Sequence, residues 1–236
     1  MQKFIIIFLL LLGFSHKIYA QCPPGTYSIS GHPRSEYVTA EGKYYSETYV
    51  DQYCKNYKNS GKLNLKFENQ MPGRWPGKKE KFKPLTKKEK KLIKKIVESL
   101  PEKLTQVGDL RIYRADKSQD LGNPATSAPS EKIVVLYDET FKGDIKSIIA
   151  HELGHIQYNQ LSTIELNEYL LAAGWKKADS VFAKAPDKNF SSEDGSAGPD
   201  EDFSNDIETF VTNPKKLKKI SLKTYEWMKT FLRKKK

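Results

Sequence analysis

The segment KSIIAHELGHIQY, residues 146–158, constrains the chain more than any other segment. It holds two of the four histidines, His151 and His155, and Glu152 directly follows the first of them. Because residues four apart lie on the same face of an α-helix, the two imidazoles can approach one ion together. Isoleucines and a leucine recur at helical spacing on another face of the segment, which predicts a helix packed against a core.

The pattern HExxH predicts a zinc site that activates water. A catalytic zinc takes three protein ligands and keeps a further position open. Glu152 lies beside the first histidine, where a carboxylate can take a proton from water at the metal without being a ligand. Gly154 lies within the motif, at a position where a helix normally prefers another residue. The simpler alternative is a surface helix that happens to carry histidines.

The neighbouring sequence supplies no third histidine ligand. The extended pattern HExxHxxGxxH needs glycine and histidine where this chain has Tyr158 and Leu161. His32 is the other histidine beyond the first 20 residues, and it belongs to a separate N-terminal segment. A carboxylate from a later helix is therefore expected to complete the site. The candidates in the segment PDEDFSNDIETFV are Glu201, Asp202, Asp206 and Glu208.

The chain divides into four predicted parts. Residues 1–20 carry a lysine, an apolar run and a terminal alanine, which is typical of a secretory signal and too short to span a bilayer. We therefore expect a secreted, periplasmic or extracellular protein, with an uncleaved anchor as the alternative. Residues 21–60 form a small N-terminal unit with a hairpin in YVTAEGKYYS, residues 61–85 a basic linker, and residues 86–236 the main domain.

The chain contains two cysteines, Cys22 and Cys54, and they bracket the N-terminal unit. In an exported protein an even pair predicts one disulfide, here Cys22–Cys54, although two free thiols are the alternative.

The positive charge comes almost entirely from lysine. The net charge is +11, but only five of the 40 basic residues are arginine. Base readout and bidentate phosphate contacts favour arginine, so specific nucleic-acid binding is not expected. Weak contact with anionic envelope surfaces is compatible with the lysine excess.

Helices with a few strands predict an α+β fold. Helical spacing or capping signals occur in LTKKEKKLIKKIVESL, ELNEYLLAAGW, EDFSNDIETFV and LKTYEWMKTFL. DLRIYRAD and KIVVLYDET predict strands, and SQDLGNPATSAPSE predicts a loop.

The motif HELGH, followed after 45 residues by EDFSNDIETFV and then by SLKTYEWMKTFL, resembles the catalytic domain of the anthrax lethal factor-like zinc metallopeptidases. The resemblance covers roughly residues 86–236. It implies a zincin-like domain with a small mixed sheet, and His151, His155 and Glu201 as zinc ligands. It also implies Glu152 as the catalytic base and acid, and Phe203 as a packing residue of the Glu201 helix.

The chain departs from the family at two positions. The family helix has the pattern E-x-F-x-E, in which the second acid supports a ligand from behind, and Asn205 stands there. The family tyrosine that precedes the glutamate ligand and stabilises the oxyanion has no counterpart in SSEDGSAGPD. Asp202 with Asp206 is the frame-shifted alternative for the metal ligand and its supporting acid.

We expect a monomeric secreted zinc endopeptidase that acts on protein or peptide substrates. By analogy with zincins, the strand KIVVLYD is expected at the edge of the cleft, where it could pair with an extended substrate backbone. The alternative function is a catalytically weak or inactive zincin-fold protein that acts as an extracellular or cell-envelope binding module.

Overall fold

The computed structural model describes residues 63–233, with gaps at 74, 76–79, 120–121, 179–180 and 185–188. Within residues 26–56, and at residues 177–178 and 181–184, it describes only the backbone of strands. The predicted signal segment 1–20 and the predicted Cys22–Cys54 disulfide lie outside the described residues, since only the backbone of Cys54 is included. No helix in the described part of the chain is long and apolar enough to cross a membrane.

Six short strands are described in the N-terminal unit, and they pair from the outside inward. β1 pairs with β6, β2 with β5 and β3 with β4, all antiparallel. The β3–β4 pair is the hairpin predicted from YVTAEGKYYS. The strands are β1 Thr26–Ile29, β2 His32–Arg34, β3 Tyr37–Val38, β4 Tyr44–Tyr45, β5 Thr48–Val50 and β6 Tyr53–Asn56.

A small mixed sheet of four strands forms the β part of the main domain. The strands are β7 Asn64–Phe67, β8 Asp109–Arg114, β9 Ala125–Ala128 and β10 Ile133–Leu136. Their order is β7-β8-β10-β9, in which β8 is parallel to β7 and to β10, and β9 is antiparallel to β10. A two-stranded ribbon, β11 Trp175–Ala178 with β12 Val181–Lys184, follows later in the chain.

Seven α-helices lie in the described residues. They are α1 Lys87–Glu98, α2 Glu102–Thr105, α3 Ile145–Tyr158, α4 Thr163–Ala173, α5 Pro199–Thr212, α6 Pro214–Ile220 and α7 Leu222–Arg233. Short 3-10 turns occur at Pro129–Glu131, Asp138–Phe141 and Glu193–Ala197. The α+β prediction is thus confirmed.

Local signals explain where several helices begin and end. Thr86 accepts from the backbone N–H of Glu89, whose side chain accepts from the Thr86 N–H, so a capping box starts α1. Ser162 and Glu165 form the same arrangement at α4. Helix α4 ends at Gly174, which adopts a left-handed φ of 83° that favours glycine.

Two sequence predictions need correction. The segment 61–85 is not only a linker, because β7 lies within it as a sheet strand and its Leu65 and Phe67 pack against the core. The segment SQDLGNPATSAPSE is not only a loop, because it contains β9. Both strands are four residues long, and both lie at an edge of the sheet. Edge strands need less apolar character than central ones, so their sequences carry only a weak pattern from which a strand could be predicted.

Aromatic residues fill the core where α5, α4 and α7 meet. Phe203 is fully buried, and its ring lies 4.9 Å from that of Tyr169 and 5.9 Å from that of Phe231, measured between centroids. Edge-to-face pairs of this kind add stability beyond the area they bury. The prediction that Phe203 packs the helix of Glu201 is therefore confirmed, and this packing fixes how α5 lies on the core.

Candidate metal centre

Helix α3 presents the two histidines to a cleft. The Asp144 side chain caps the helix by accepting from the backbone N–H groups of Lys146 and Ser147. Ile149, Leu153 and Ile156 are buried in the core. The histidines lie on another face of the same helix, so burial of the apolar residues turns the imidazoles toward the cleft.

Helix α5 presents the candidate carboxylate ligand. Pro199 occupies the first helical position, where its missing N–H costs no hydrogen bond. Glu201 lies in the first turn, where the helix dipole stabilises negative charge. Phe203 and Ile207 are buried on the core side. The packing of α5 therefore leaves Glu201 on the side that faces α3.

Helices α3 and α5 run antiparallel and approach closely. Glu201, near the start of α5, lies beside His155, whereas Glu208, near its end, bonds to Ser147 at the start of α3. A Cβ at Gly154 would lie 2.8 Å from the Cα of Ser204, so only glycine allows this approach. The glycine that stood out within HELGH thus has a structural reason.

Three donor groups converge between these helices. The Nε2 atoms of His151 and His155 are 3.1 Å apart. Glu201 Oε1 lies 3.1 Å from Nε2 of His151. Glu201 Oε2 lies 3.4 Å from Nε2 of His155. These three residues form a group that could hold a metal ion. Zn–N bonds of ~2.0–2.1 Å at tetrahedral angles place ligand atoms roughly 3.3 Å apart, so the donor set and its spacing fit zinc.

Glu152 lines the same cleft but is not a member of this group. Its side chain is largely buried, with 6% exposed, and receives a hydrogen bond from the Ser127 side chain of β9. Burial raises the pKa of the Glu152 carboxyl to about 7, although the charge of His151 acts in the opposite direction. The carboxyl is therefore able to exchange a proton near neutral pH.

The carboxylates around His151 favour a positive charge there. Burial lowers the pKa of the His151 imidazole, but its hydrogen bonds with Glu201 and Glu208 outweigh burial and raise the pKa to about 10. Burial and the neighbouring His151 lower the pKa of His155. The surrounding carboxylates thus favour one positive charge on the pair, carried by His151.

The alternative ligand pair, Asp202 with Asp206, does not fit the structure. Asp202 is fully buried and accepts hydrogen bonds from Trp175 Nε1 at 2.8 Å and from the Tyr169 hydroxyl at 3.3 Å. Asp206 accepts from Tyr169 at 3.1 Å and from Ser191. These contacts hold α5 on α4 and β11, so both aspartates belong to the support of the helix.

Asn205 does not take over the support of a histidine. Its Nδ2 donates to Asp194 Oδ1 at 2.8 Å, which ties α5 to the preceding 3-10 turn. A different acid, Glu208, lies 3.2 Å from Nδ1 of His151.

The cleft around the donor group has a volume of about 700 Å³. Five carboxylates line it, and the lining within the described residues includes no lysine, arginine or tyrosine. The acidic residues are Glu152, Asp194, Asp200, Glu201 and Glu208. A chain with a net charge of +11 thus concentrates negative charge at this cleft.

The strand along the cleft is β9, so the sequence prediction for KIVVLYD was wrong. β10 lies between β8 and β9, and all four of its residues are buried. A strand this apolar needs neighbours on both sides. Ala125, Thr126 and Ser127 of β9 line the cleft, and β9 is the edge strand of the sheet.

Sequence reasoning missed β9, Asp194 and the contact between Glu208 and His151. Four small residues in PATSA carry little strand signal. The spacing of seven between Glu201 and Glu208, however, is two helical turns and puts both on one face. That spacing could have identified Glu208 as a neighbour of the candidate ligands.

Comparisons with protein-family models, with curated proteins and with solved structures found no match, so the function is argued from the geometry of the site.

Proposed function

We propose that the protein is a zinc-dependent endopeptidase with a zincin-like domain, similar to the anthrax lethal factor-like metallopeptidases. One observation carries the proposal: His151, His155 and Glu201 converge on one point of a cleft that also contains a buried glutamate, Glu152. Two imidazoles and one carboxylate are a donor set used by catalytic zinc sites in peptidases.

The residues divide the chemistry between them. His151, His155 and Glu201 would hold the metal, which lowers the pKa of water toward neutrality and polarises a carbonyl. Glu152 accepts a proton from the water whose oxygen attacks the peptide carbonyl carbon. It then returns a proton to the amine nitrogen as the C–N bond breaks. The hydrogen bond from Ser127 and the buried position hold the Glu152 carboxylate in one orientation.

The edge strand supports a peptide as the substrate. Unpaired backbone groups on an edge strand can add an extended chain as a further strand. Because β9 packs on α3 and lines the cleft, a peptide bound along it would pass close to the histidines.

The acidic lining predicts a preference for a positively charged residue beside the scissile bond. We expect a peptide with lysine there to be cleaved more efficiently than its norleucine analogue. A partly exposed ion pair contributes about 0.2–1 kcal/mol, so Asp200→Asn should reduce this preference by up to about fivefold. The measurement is kcat/KM for both peptides. Asp109 is an exposed residue of β8 that does not line the cleft, so Asp109→Asn is the control. It should leave the ratio of kcat/KM between the two peptides unchanged.

Metal content and proteolysis test the proposal directly. We expect about one zinc per purified mature chain, and cleavage of casein or of a peptide library that stops when a chelator is added and returns with zinc. In the variant with both His151→Ala and His155→Ala, zinc should be lost because two of three ligands are gone. Wild-type protein without zinc, or a double variant that retains it, would contradict the proposed site.

A second candidate function is a zinc-binding protein that acts by binding and has little or no peptidase activity. The observation that favours it is the cleft lining, in which the described residues include no tyrosine, lysine or arginine to stabilise an oxyanion. One zinc per chain together with no cleavage across a broad peptide library would select this function over the first.

A further inference from the structure

We propose that Glu208, held by Ser147, is the positioning residue for His151, in place of the acid that the E-x-F-x-E pattern would put at position 205. The inference rests on the proposed zinc site and adds to it a residue pair outside the motif. It concerns metal affinity and the orientation of an imidazole, and it can therefore be tested apart from catalysis.

Glu208 contacts the His151 imidazole at the nitrogen that faces away from Glu201. Glu208 Oε2 lies 3.2 Å from Nδ1 of His151, while Nε2 on the other side of the same ring lies 3.1 Å from Glu201. An Nδ1–H donated to Glu208 fixes the ring tautomer, which leaves the Nε2 lone pair directed at the point where the ligands converge. Carboxylates that accept from the second nitrogen of a ligating histidine orient the ring and increase its basicity.

Glu208 is itself held in place by a residue of α3. The Ser147 hydroxyl donates to Oε1 of Glu208, the oxygen that does not contact His151. Ser147 lies four residues before His151, so the hydroxyl and the imidazole share one face of α3. Both oxygens of a carboxylate on α5 are thus engaged by side chains of α3, and rotation of the carboxylate away from the ring would break two contacts.

The spacing of Glu201 and Glu208 along α5 matches these two roles. Glu201 and Glu208 are seven residues apart, and this places the ligand and the supporting acid on one face, two turns apart. Asn205 lies between them and bonds to Asp194. On α5, Glu201 contacts both candidate histidine ligands and Glu208 contacts His151. The loss of charge at position 205 is therefore compatible with a fully supported histidine.

Zinc affinity measured by competition with a chelator tests the inference. Loss of a supporting partner typically costs ~10–100-fold in metal affinity, so we expect the zinc Kd to rise by about that factor in Glu208→Ala. Glu208→Gln should give an intermediate Kd, because its amide oxygen can still accept from Nδ1–H. Ser147→Ala should weaken zinc binding less than Glu208→Ala, since the carboxylate remains.

A matched control and a second readout separate positioning from a merely structural role. Glu226→Gln removes an exposed carboxylate of α7 that pairs with Lys229, and it should leave the zinc Kd unchanged. In proton NMR of the zinc-loaded protein, we expect a slowly exchanging Nδ1–H signal of His151 in wild type and its loss in Glu208→Ala. A helix that was only destabilised would not lose this signal selectively.

The outcomes are distinct. Wild type that binds zinc, together with Glu208→Ala and Glu208→Gln that bind it equally well, overturns the role of Glu208 and leaves the zinc site intact. Wild type that binds no zinc overturns the proposed function and this inference with it. If Glu208→Ala does not fold, Glu208→Gln and Ser147→Ala still decide the question, because unchanged affinity and an unchanged Nδ1–H signal in both would overturn it.

Discussion

Glu152→Gln should lower peptidase activity by at least about a hundredfold while zinc content stays near one per chain. Proton transfer by a positioned group contributes typically ~10²–10⁴-fold, and a glutamine amide cannot accept the proton at neutral pH. The three candidate ligands are untouched by the change. Glutamine also retains the size of the side chain and an acceptor for the hydrogen bond from Ser127. The measurements are kcat/KM on a cleaved peptide and metal analysis of the same sample.

Glu201→Gln is the matched variant, because it makes the same chemical change on a residue proposed to bind the metal. It should lose both zinc and activity, whereas Glu152→Gln loses activity alone. Equal cleavage by Glu152→Gln and wild type would refute the catalytic role of this residue even if the protein binds zinc. Loss of zinc in both variants would instead make Glu152 a ligand.

The sequence was most informative where the signal is local. Helices α3 and α1 were predicted because their apolar residues recur at helical spacing, and for α1 also because Thr86 can cap the helix. Because the geometry of a helix is fixed, the spacing of four between His151 and His155 predicted that both side chains lie at one site. These predictions required no knowledge of how distant segments meet.

Contacts between distant segments were harder to predict. The position of β9 at the sheet edge depends on pairing with β10, and its four small residues carry almost no pattern. The contact between Glu208 and His151 depends on the antiparallel arrangement of α3 and α5, and the two residues are 57 positions apart in the sequence. Propensity and spacing describe single elements, and tertiary packing decides which faces meet.

Gly154 belongs both to the local sequence signal and to the contact between distant segments. It lies in the motif, and it also sets the distance between α3 and α5. Alanine in a helix interior is favoured over glycine by about 1 kcal/mol. Against this, the added Cβ would meet the backbone Cα of Ser204 at 2.8 Å, and a backbone atom cannot rotate away. Overpacking of this kind costs about 1–3 kcal/mol. We expect the clash to outweigh the propensity gain, so that Gly154→Ala lowers the free energy of unfolding.

The larger effect of Gly154→Ala should fall on the site, because α5 carries Glu201 and would be displaced from the histidines. A shift of ~1 Å in a catalytic group can cost ~100-fold in rate, and we expect peptidase activity to fall by about that factor, with weaker zinc binding. Gly143→Ala is the matched control, since its Cβ would meet its nearest neighbours at 3.9 and 4.0 Å, which are ordinary contacts. Denaturant unfolding, zinc Kd and kcat/KM should change in Gly154→Ala and stay near wild type in Gly143→Ala. Wild-type values in Gly154→Ala would mean that the close approach of α3 and α5 is not what holds Glu201 at the site.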